Sequence, residues 1–236
     1  MRYCLIFALA AVAGCSGCKE RQGVDPRIAD PSRPLVLVTH PTEPPFSYRD
    51  ATGAIVGIEI DLARRIAAKL GRPLTVDGVE FADILPRLRA GTADMGISTI
   101  TITEARRRDV DFSKPYDTGG ACFLYRKNGR KPRMSQIASF RIGVDTDTVQ
   151  DIYLCRHGCD PMRFSGLGEA MAALERDEID ALFFDAPPLR ASAELSGGTL
   201  IVSPLETLDF YGIAVDKRRP DVLAAANAVI DERGAK

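Results

Sequence analysis

The stretch from Gly91 to Tyr116, GTADMGISTITITEARRRDVDFSKPY, constrains this chain most. Within it Met95, Ile97, Ile100 and Ile102 are apolar, while Ser98, Thr99, Thr101 and Thr103 are small and hydroxylated. An apolar run that ends in a polar turn reads as a strand leaving the core. Thr103 then suits the N-cap of a short helix carrying Arg106. Hydroxyls, free N–H groups at a helix start and a guanidinium together make a clamp for a carboxylate. The same unit is also the pattern of a capped surface helix with Arg106 in solvent, and taken alone it does not choose between the two.

Composition removes some classes of function. A formal net charge of -1 with 27% charged residues lacks the basic surplus of a nucleic-acid binder. Hydrophobic residues make up 45% of 236 residues, enough for one or two packed cores. The early apolar run from Cys4 to Ala13 follows Arg2, is too short to span a bilayer comfortably and reads as a secretory signal. Val12-Ala13-Gly14-Cys15 looks like a lipobox, with Cys15 acylated as the mature N-terminus; an ordinary cleavage site is the alternative. The polar stretch from Lys19 to Pro34, with several prolines, reads as a flexible tether. Cys155 and Cys159 flank Arg-His-Gly. In an exported protein they are expected to form a disulfide, with Gly158 turning the loop; zinc held with His157 is the alternative. Cys18 and Cys122 have no evident partner, and no metal or cofactor is expected.

Strand and helix patterns alternate, which implies an α/β architecture. Strands are expected at Leu35–Val38, Asp94–Ile97, Arg141–Asp145, Ala181–Phe184 and Thr199–Val202. Helices are expected at Ile58–Leu70, stopped by Gly71, at Ala82–Ala90, after a Thr148 cap, at Ala170–Arg176 and at Pro220–Glu232. Phe123 and Leu124 read as a first crossing into another lobe, and Tyr211–Val215 as the way back.

Four blocks then carry a family resemblance. They are PPFSYRDATGAIVGIEIDLARRIAAKLG from Pro44, FADILPRLRAGTADMGISTITITEARRRDVDFSKPY from Phe81, RIGVDTDTVQDIYL from Arg141 and EAMAALERDEIDALFFDAP from Glu169, closed by YGIAV at Tyr211. In order and spacing they resemble the extracellular solute-binding proteins of family 3, the amino-acid receptors of ABC importers. The resemblance covers nearly everything after Pro34. It implies a two-lobe periplasmic-binding-protein-like fold of type II, with ligand trapped in the cleft by hinge closure. The implied organisation is a signal peptide over 1–14, a lipidated tether over 15–34, lobe 1 over 35–121, lobe 2 over 122–210, and a return strand and closing helix over 211–236. The closing helix stops without the final helix common in relatives, so the first lobe is expected to be less covered or completed by a partner.

The resemblance also implies a ligand set. Arg106 matches the family's carboxylate-binding arginine, and Thr101 the residue that supports it. Thr99 matches the position whose carbonyl meets the ligand ammonium, with Ser98 beside it. Asp185 matches the second-lobe aspartate that pairs with that ammonium, although a helix cap before Pro187 would also explain it. Thr148 matches the hydroxyl at the second-lobe helix start, and Phe81 the aromatic wall. Three positions depart from the pattern. Glu43 replaces an aromatic, His40 stands where several relatives carry aspartate, and Asp145-Thr146-Asp147-Thr148 lacks the usual glycine, which leaves that turn's geometry open. Glu43, Asp145 and Asp147 are expected to put up to three carboxylates near the ligand side chain, with Glu43 and Asp145 as candidate contacts, and so to favour a polar or basic amino acid; the alternative puts Glu43 and Asp147 in water at the rim.

The implied function is a monomeric, membrane-anchored receptor that hands an amino acid to an ABC permease in the inner membrane, from the periplasm or cell surface. An enzyme resembling periplasmic cyclohexadienyl dehydratases is the alternative from another class, with Glu43 or Asp147 as its acid. Its Gly-Gly-Thr-Asn turn is absent, and no nucleophile–base pair or phosphate loop supports other catalysis. A binding module that reports to a sensor cannot be told from a transport receptor by sequence.

Overall fold

The computed structural model describes residues 26–30 and 32–234. The expected signal segment, the Cys15 lipidation site and Cys18 lie outside the described residues. Among the described residues the strands form two five-stranded sheets and a small three-stranded one.

In the first sheet the strands run in the order Leu74–Gly78, Leu35–Thr39, Met95–Gly96, Asp209–Val215, Asp111–Gly119. The first three are parallel, and Asp209–Val215 is antiparallel to both its neighbours. Strand side chains alternate between faces, and both faces are covered here. Leu35, Leu37, Ile213 and Val215 pack under the helices Ile58–Lys69 and Pro220–Gly234. Val38 and Ala214 pack on the opposite side with Ile84 and Leu88 of the helix Phe81–Ala90. That two-sided burial is why the strands read as apolar runs.

The second sheet repeats the plan in the order Met162–Phe164, Ile142–Asp145, Ala181–Asp185, Ala121–Arg126, Leu200–Val202. Phe123, Tyr125, Ile142, Val144 and Phe183 face Leu154 of the helix Val149–Arg156. Cys122, Leu124, Leu182 and Phe184 face the helices Leu167–Glu175 and Ala186–Leu195. Three of the parallel strands end at Thr39, Asp145 and Asp185, and in open α/β sheets ligands bind beyond such carboxyl ends.

The crossings fall slightly outside the expected positions. Asp111–Gly119 belongs to the first sheet, and Ala121 already pairs with Asp185 in the second. On the way back Asp209 and Phe210 already pair with Gly119 and Thr118. The expected divisions at 121/122 and 210/211 therefore lie inside strands, and Phe123 and Leu124 sit well within the second sheet. Two glycines make the first crossing tight. A Cβ on Gly119 would lie 2.1 Å from the Tyr211 hydroxyl, and one on Gly120 2.1 Å from the Thr207 carbonyl oxygen.

Two further expectations change. The end of the presumed tether is docked: Pro26–Ala29 forms one helical turn, and Arg27 is buried. Its guanidinium reaches Asp216 at 2.6 Å and Asp94 at 3.4 Å. Arg219 binds the same Asp94 and also Asp221, so buried charges are paired at the base of the sheet. The expected Cys155–Cys159 disulfide is not formed; both are free thiols. The reason is direction. Cys155 is exposed in the last turn of its helix, with its sulfur 3.5 Å from Asp151 and 3.3 Å from Arg163, whereas Cys159 is buried in the apolar core. The alternative zinc arrangement with His157 is not assembled either: among the described residues no group of three His, Cys, Asp or Glu is placed to hold a metal ion.

Candidate functional site

The strand Met95–Gly96 leads into Ser98–Thr103, where Thr101 bridges to Tyr211. Thr99 adopts φ 44°, a left-handed conformation uncommon for a β-branched residue. Thr103 caps the short helix Glu104–Arg107, its hydroxyl accepting the Arg106 N–H at 3.2 Å. The Arg106 side chain turns back rather than out. Its Nη1 donates to the Thr101 carbonyl at 2.9 Å, and the guanidinium carbon lies 5.4 Å from the Phe81 ring centroid, within cation–π range. Burial pushes the Arg106 pKa down to about 10, against the pull of Asp185 and Asp209; it is still a cation at neutral pH. The surface-helix reading of Arg106 is therefore wrong.

One cleft brings these groups together with others from the second sheet. Its lining includes Glu43, Phe81, Ser98, Thr99, Thr101 and Arg106 from one side. Asp145, Thr148, Gln150 and Asp185 line the other side. The cleft with its open mouth spans about 450 Å³. All nine residues expected to touch ligand border it.

The carboxylates are unusually crowded. Glu43 ends a two-residue strand, Thr42–Glu43, paired with Ser47–Tyr48. It is buried, and its Oε2 has no hydrogen-bond partner. Burial pushes its carboxyl well above the usual range, and Asp185, Asp145 and Glu59 push it further. Burial likewise raises Asp145 and Asp185 to about 7 each. Gln150 Nε2 donates to Asp185 Oδ1 at 2.7 Å and so fixes that carboxylate. His40 is buried too, which lowers its pKa despite Glu80 nearby, so it adds no positive charge at neutral pH. Its backbone N–H reaches Ser98 Oγ at 3.3 Å.

The open questions at the departing positions resolve in different directions. Glu43 is inside the cleft, whereas Asp147 is exposed. Asp147 takes φ 60°, so the missing glycine is replaced by a residue type that tolerates this region. Thr148 caps the helix Val149–Arg156, accepting the Asp151 N–H at 3.2 Å and donating to the Asp145 carbonyl at 2.8 Å. Its hydroxyl is thus engaged, and Val149 and Gln150 of that helix start line the cleft. Among the described residues no group of three His, Cys, Asp or Glu is arranged to hold a metal ion. Sequence reasoning passed over Gln150, Glu59 and Tyr116. Gln150 follows a cap and carries no signal of its own; Glu59 looks like an ordinary first-turn acid.

Comparisons with known proteins bear on the family and the fold. Residues 35–236 match the family model for bacterial extracellular solute-binding proteins, family 3. The arginine-binding periplasmic protein of Mannheimia haemolytica is 27% identical over 179 residues, 75% of this chain and 70% of that protein. Across the curated relatives compared, the aligned part is 54% to 78% of their length. The arginine-bound form of truncated ArgBP from T. maritima superposes with a TM-score of 0.80 at 32% identity, over 84% of this chain and 95% of that one. AncCDT-1, an ancestral amino-acid-binding protein described as a precursor of cyclohexadienyl dehydratase, gives 0.79 at 26% identity, over 86% and 90%. The chain belongs to the bacterial extracellular solute-binding proteins of family 3.

Proposed function

We propose that this protein is the receptor of an ABC importer and captures a free α-amino acid with a cationic side chain. Arg106, with Ser98 and Thr101 beside it and the helix start after Thr148 opposite, takes the α-carboxylate. Asp185 and the Thr99 carbonyl take the α-ammonium. Phe81 stacks on the aliphatic stem, and Glu43 with Asp145 takes the distal cation. One observation carries the side-chain assignment: Glu43 Oε2 is buried with no partner. A buried carboxylate oxygen without a partner is costly, and a guanidinium or ammonium would satisfy it. The lining supports this by charge. It holds three carboxylates, Glu43, Asp145 and Asp185, against one guanidinium, Arg106, which is 1 − 3 = −2 when all are ionised. A basic amino acid brings one net positive charge, which offsets part of that excess. The relatives named for arginine point the same way.

Delivery to a permease, a periplasmic location, a lipid anchor on Cys15 and a monomeric state complete the reading. No cofactor is involved. A thermal-shift screen tests it, because a ligand that binds only the folded protein raises its melting temperature. Arginine, lysine, ornithine, histidine and glutamine come first, with glutamate and aspartate as controls. No shift with any amino acid would overturn the reading. Membrane partitioning of the exported protein, lost on Cys15→Ser, tests the anchor.

One observation also fits the dehydratase alternative: burial raises the Glu43 carboxyl well above its usual range, the direction a general acid requires. The curated relatives are binding proteins rather than enzymes. Turnover of prephenate or arogenate by the purified protein would decide for the enzyme.

A further inference from the structure

Glu59 lies behind the cleft, outside its lining, yet it connects both first-lobe segments that bear ligand contacts. It is the second residue of the helix Ile58–Lys69 and only 1% exposed. Its Oε1 accepts the Thr99 N–H at 2.7 Å and the Tyr116 hydroxyl. Thr99 is the residue held at φ 44°. At the same helix start the Ile58 and Glu59 N–H groups donate to the Pro45 and Phe46 carbonyls, each at 3.1 Å. Phe46 in turn donates its N–H to the Glu43 carbonyl at 2.8 Å. Gly57 allows this approach, since a Cβ there would sit 2.1 Å from the Phe46 oxygen.

A first-turn glutamate facing solvent would merely complement the helix dipole. This one is buried and spends its carboxylate on another segment's backbone. A threonine in the left-handed region is strained, and such a conformation persists only where its surroundings impose it. The Glu59 carboxylate supplies that constraint, and Tyr116 orients it.

We infer that Glu59 is a positioning residue for ligand capture, holding Thr99 left-handed so that its carbonyl faces the ligand ammonium. The Tyr116 hydroxyl locks the carboxylate, and the helix start keeps the Glu43 segment in register with it. The inference rests on the proposed amino-acid site. Its failure is separable from that reading, because wild type would still bind while the variants bound equally well.

The test is calorimetry with L-arginine on wild type, Glu59→Ala, Glu59→Gln, Tyr116→Phe and Glu59→Ala/Thr99→Gly, each checked for a cooperative melt. Glu59→Ala is expected to weaken binding by about tenfold or more, as for loss of a hydrogen bond to a charged acceptor. Glu59→Gln keeps an acceptor oxygen and is expected to stay within about threefold of wild type. Adding Thr99→Gly to Glu59→Ala is expected to restore about threefold or more, because glycine takes positive φ without strain. The Thr99 amide proton is expected to lose its downfield NMR shift in Glu59→Ala and keep it in Glu59→Gln. Wild-type affinity in a folded Glu59→Ala, or an equal loss in Glu59→Gln, would overturn the proposal. If Glu59→Ala does not fold, Tyr116→Phe decides: a weakened affinity supports the proposal, and an unchanged one overturns it.

Discussion

Replacing Glu43 with glutamine isolates the charge of the buried carboxyl from its shape. The side chain keeps its length and one acceptor oxygen but cannot ionise. A hydrogen bond to a charged group is worth ~1.5–3 kcal/mol and a neutral one ~0.5–1.5 kcal/mol. The difference is about 1–1.5 kcal/mol per bond, and a guanidinium meeting a carboxylate can make two. Glu43→Gln should therefore weaken arginine binding by about 2–3 kcal/mol, roughly 30- to 150-fold. The ligand-free protein should respond in the opposite sense. Burial and the neighbouring Asp185 and Asp145 raise the Glu43 pKa above its unfolded value. Its contribution to stability is then complete below the unfolded pKa and is lost as pH rises through the folded one. Glutamine escapes that loss, so the variant should melt higher than wild type at pH 8 and equally at pH 4. Each kcal/mol is worth about 2–4 °C in a chain of this size. The assays are calorimetry with arginine and melting curves at the two pH values. Unchanged arginine affinity with an unchanged melt at pH 8 would refute the reasoning and place Glu43 outside the binding event.

Other consequences follow from the same geometry. Arg106→Lys keeps the charge but loses the planar fork, and affinity should fall by about 2 kcal/mol or more in calorimetry; Asp185→Asn should cost a similar amount. Asp145 and Asp185, each raised to about 7, must give up protons to meet a cation, so affinity for a basic amino acid should weaken as pH falls from 8 to 5.5. Proton release measured by calorimetry in buffers of different ionisation enthalpy checks this. Gly120→Ala puts a Cβ 2.1 Å from the Thr207 carbonyl, which should cost about 1–3 kcal/mol of stability, read from denaturant melts.

How much of this was legible in the sequence depended on the range of the forces involved. The strand before Ser98, the Thr103 cap and the helix that follows are local, and they form as their residues predict. The αL turn at Asp147 formed without its glycine because aspartate tolerates that region. Side-chain direction was harder. Arg106 turning onto Phe81, and Glu43 entering the cleft rather than the rim, depend on what the rest of the fold places nearby. The Cys155–Cys159 spacing allowed a bridge, yet helix phase sends one thiol out and the other into the core. Arg27 sits in a polar, proline-containing stretch that gives no hint of its partners Asp94 and Asp216, which lie far along the chain. Glu59 and Gln150 act on backbone or carboxylate groups from other segments, so neither leaves a periodic signal.

The central claim is that the cleft takes an amino acid and selects it by a cation at the far end of its side chain. Arginine and citrulline share length and shape and differ in that charge. Titration of the wild-type protein with arginine, citrulline and glutamate at pH 7.5 therefore tests the claim most directly. Arginine is expected to bind tightest, citrulline about 30-fold or more weaker through loss of the charged pair, and glutamate weakest. Citrulline equal to arginine, or glutamate tighter than both, would contradict it.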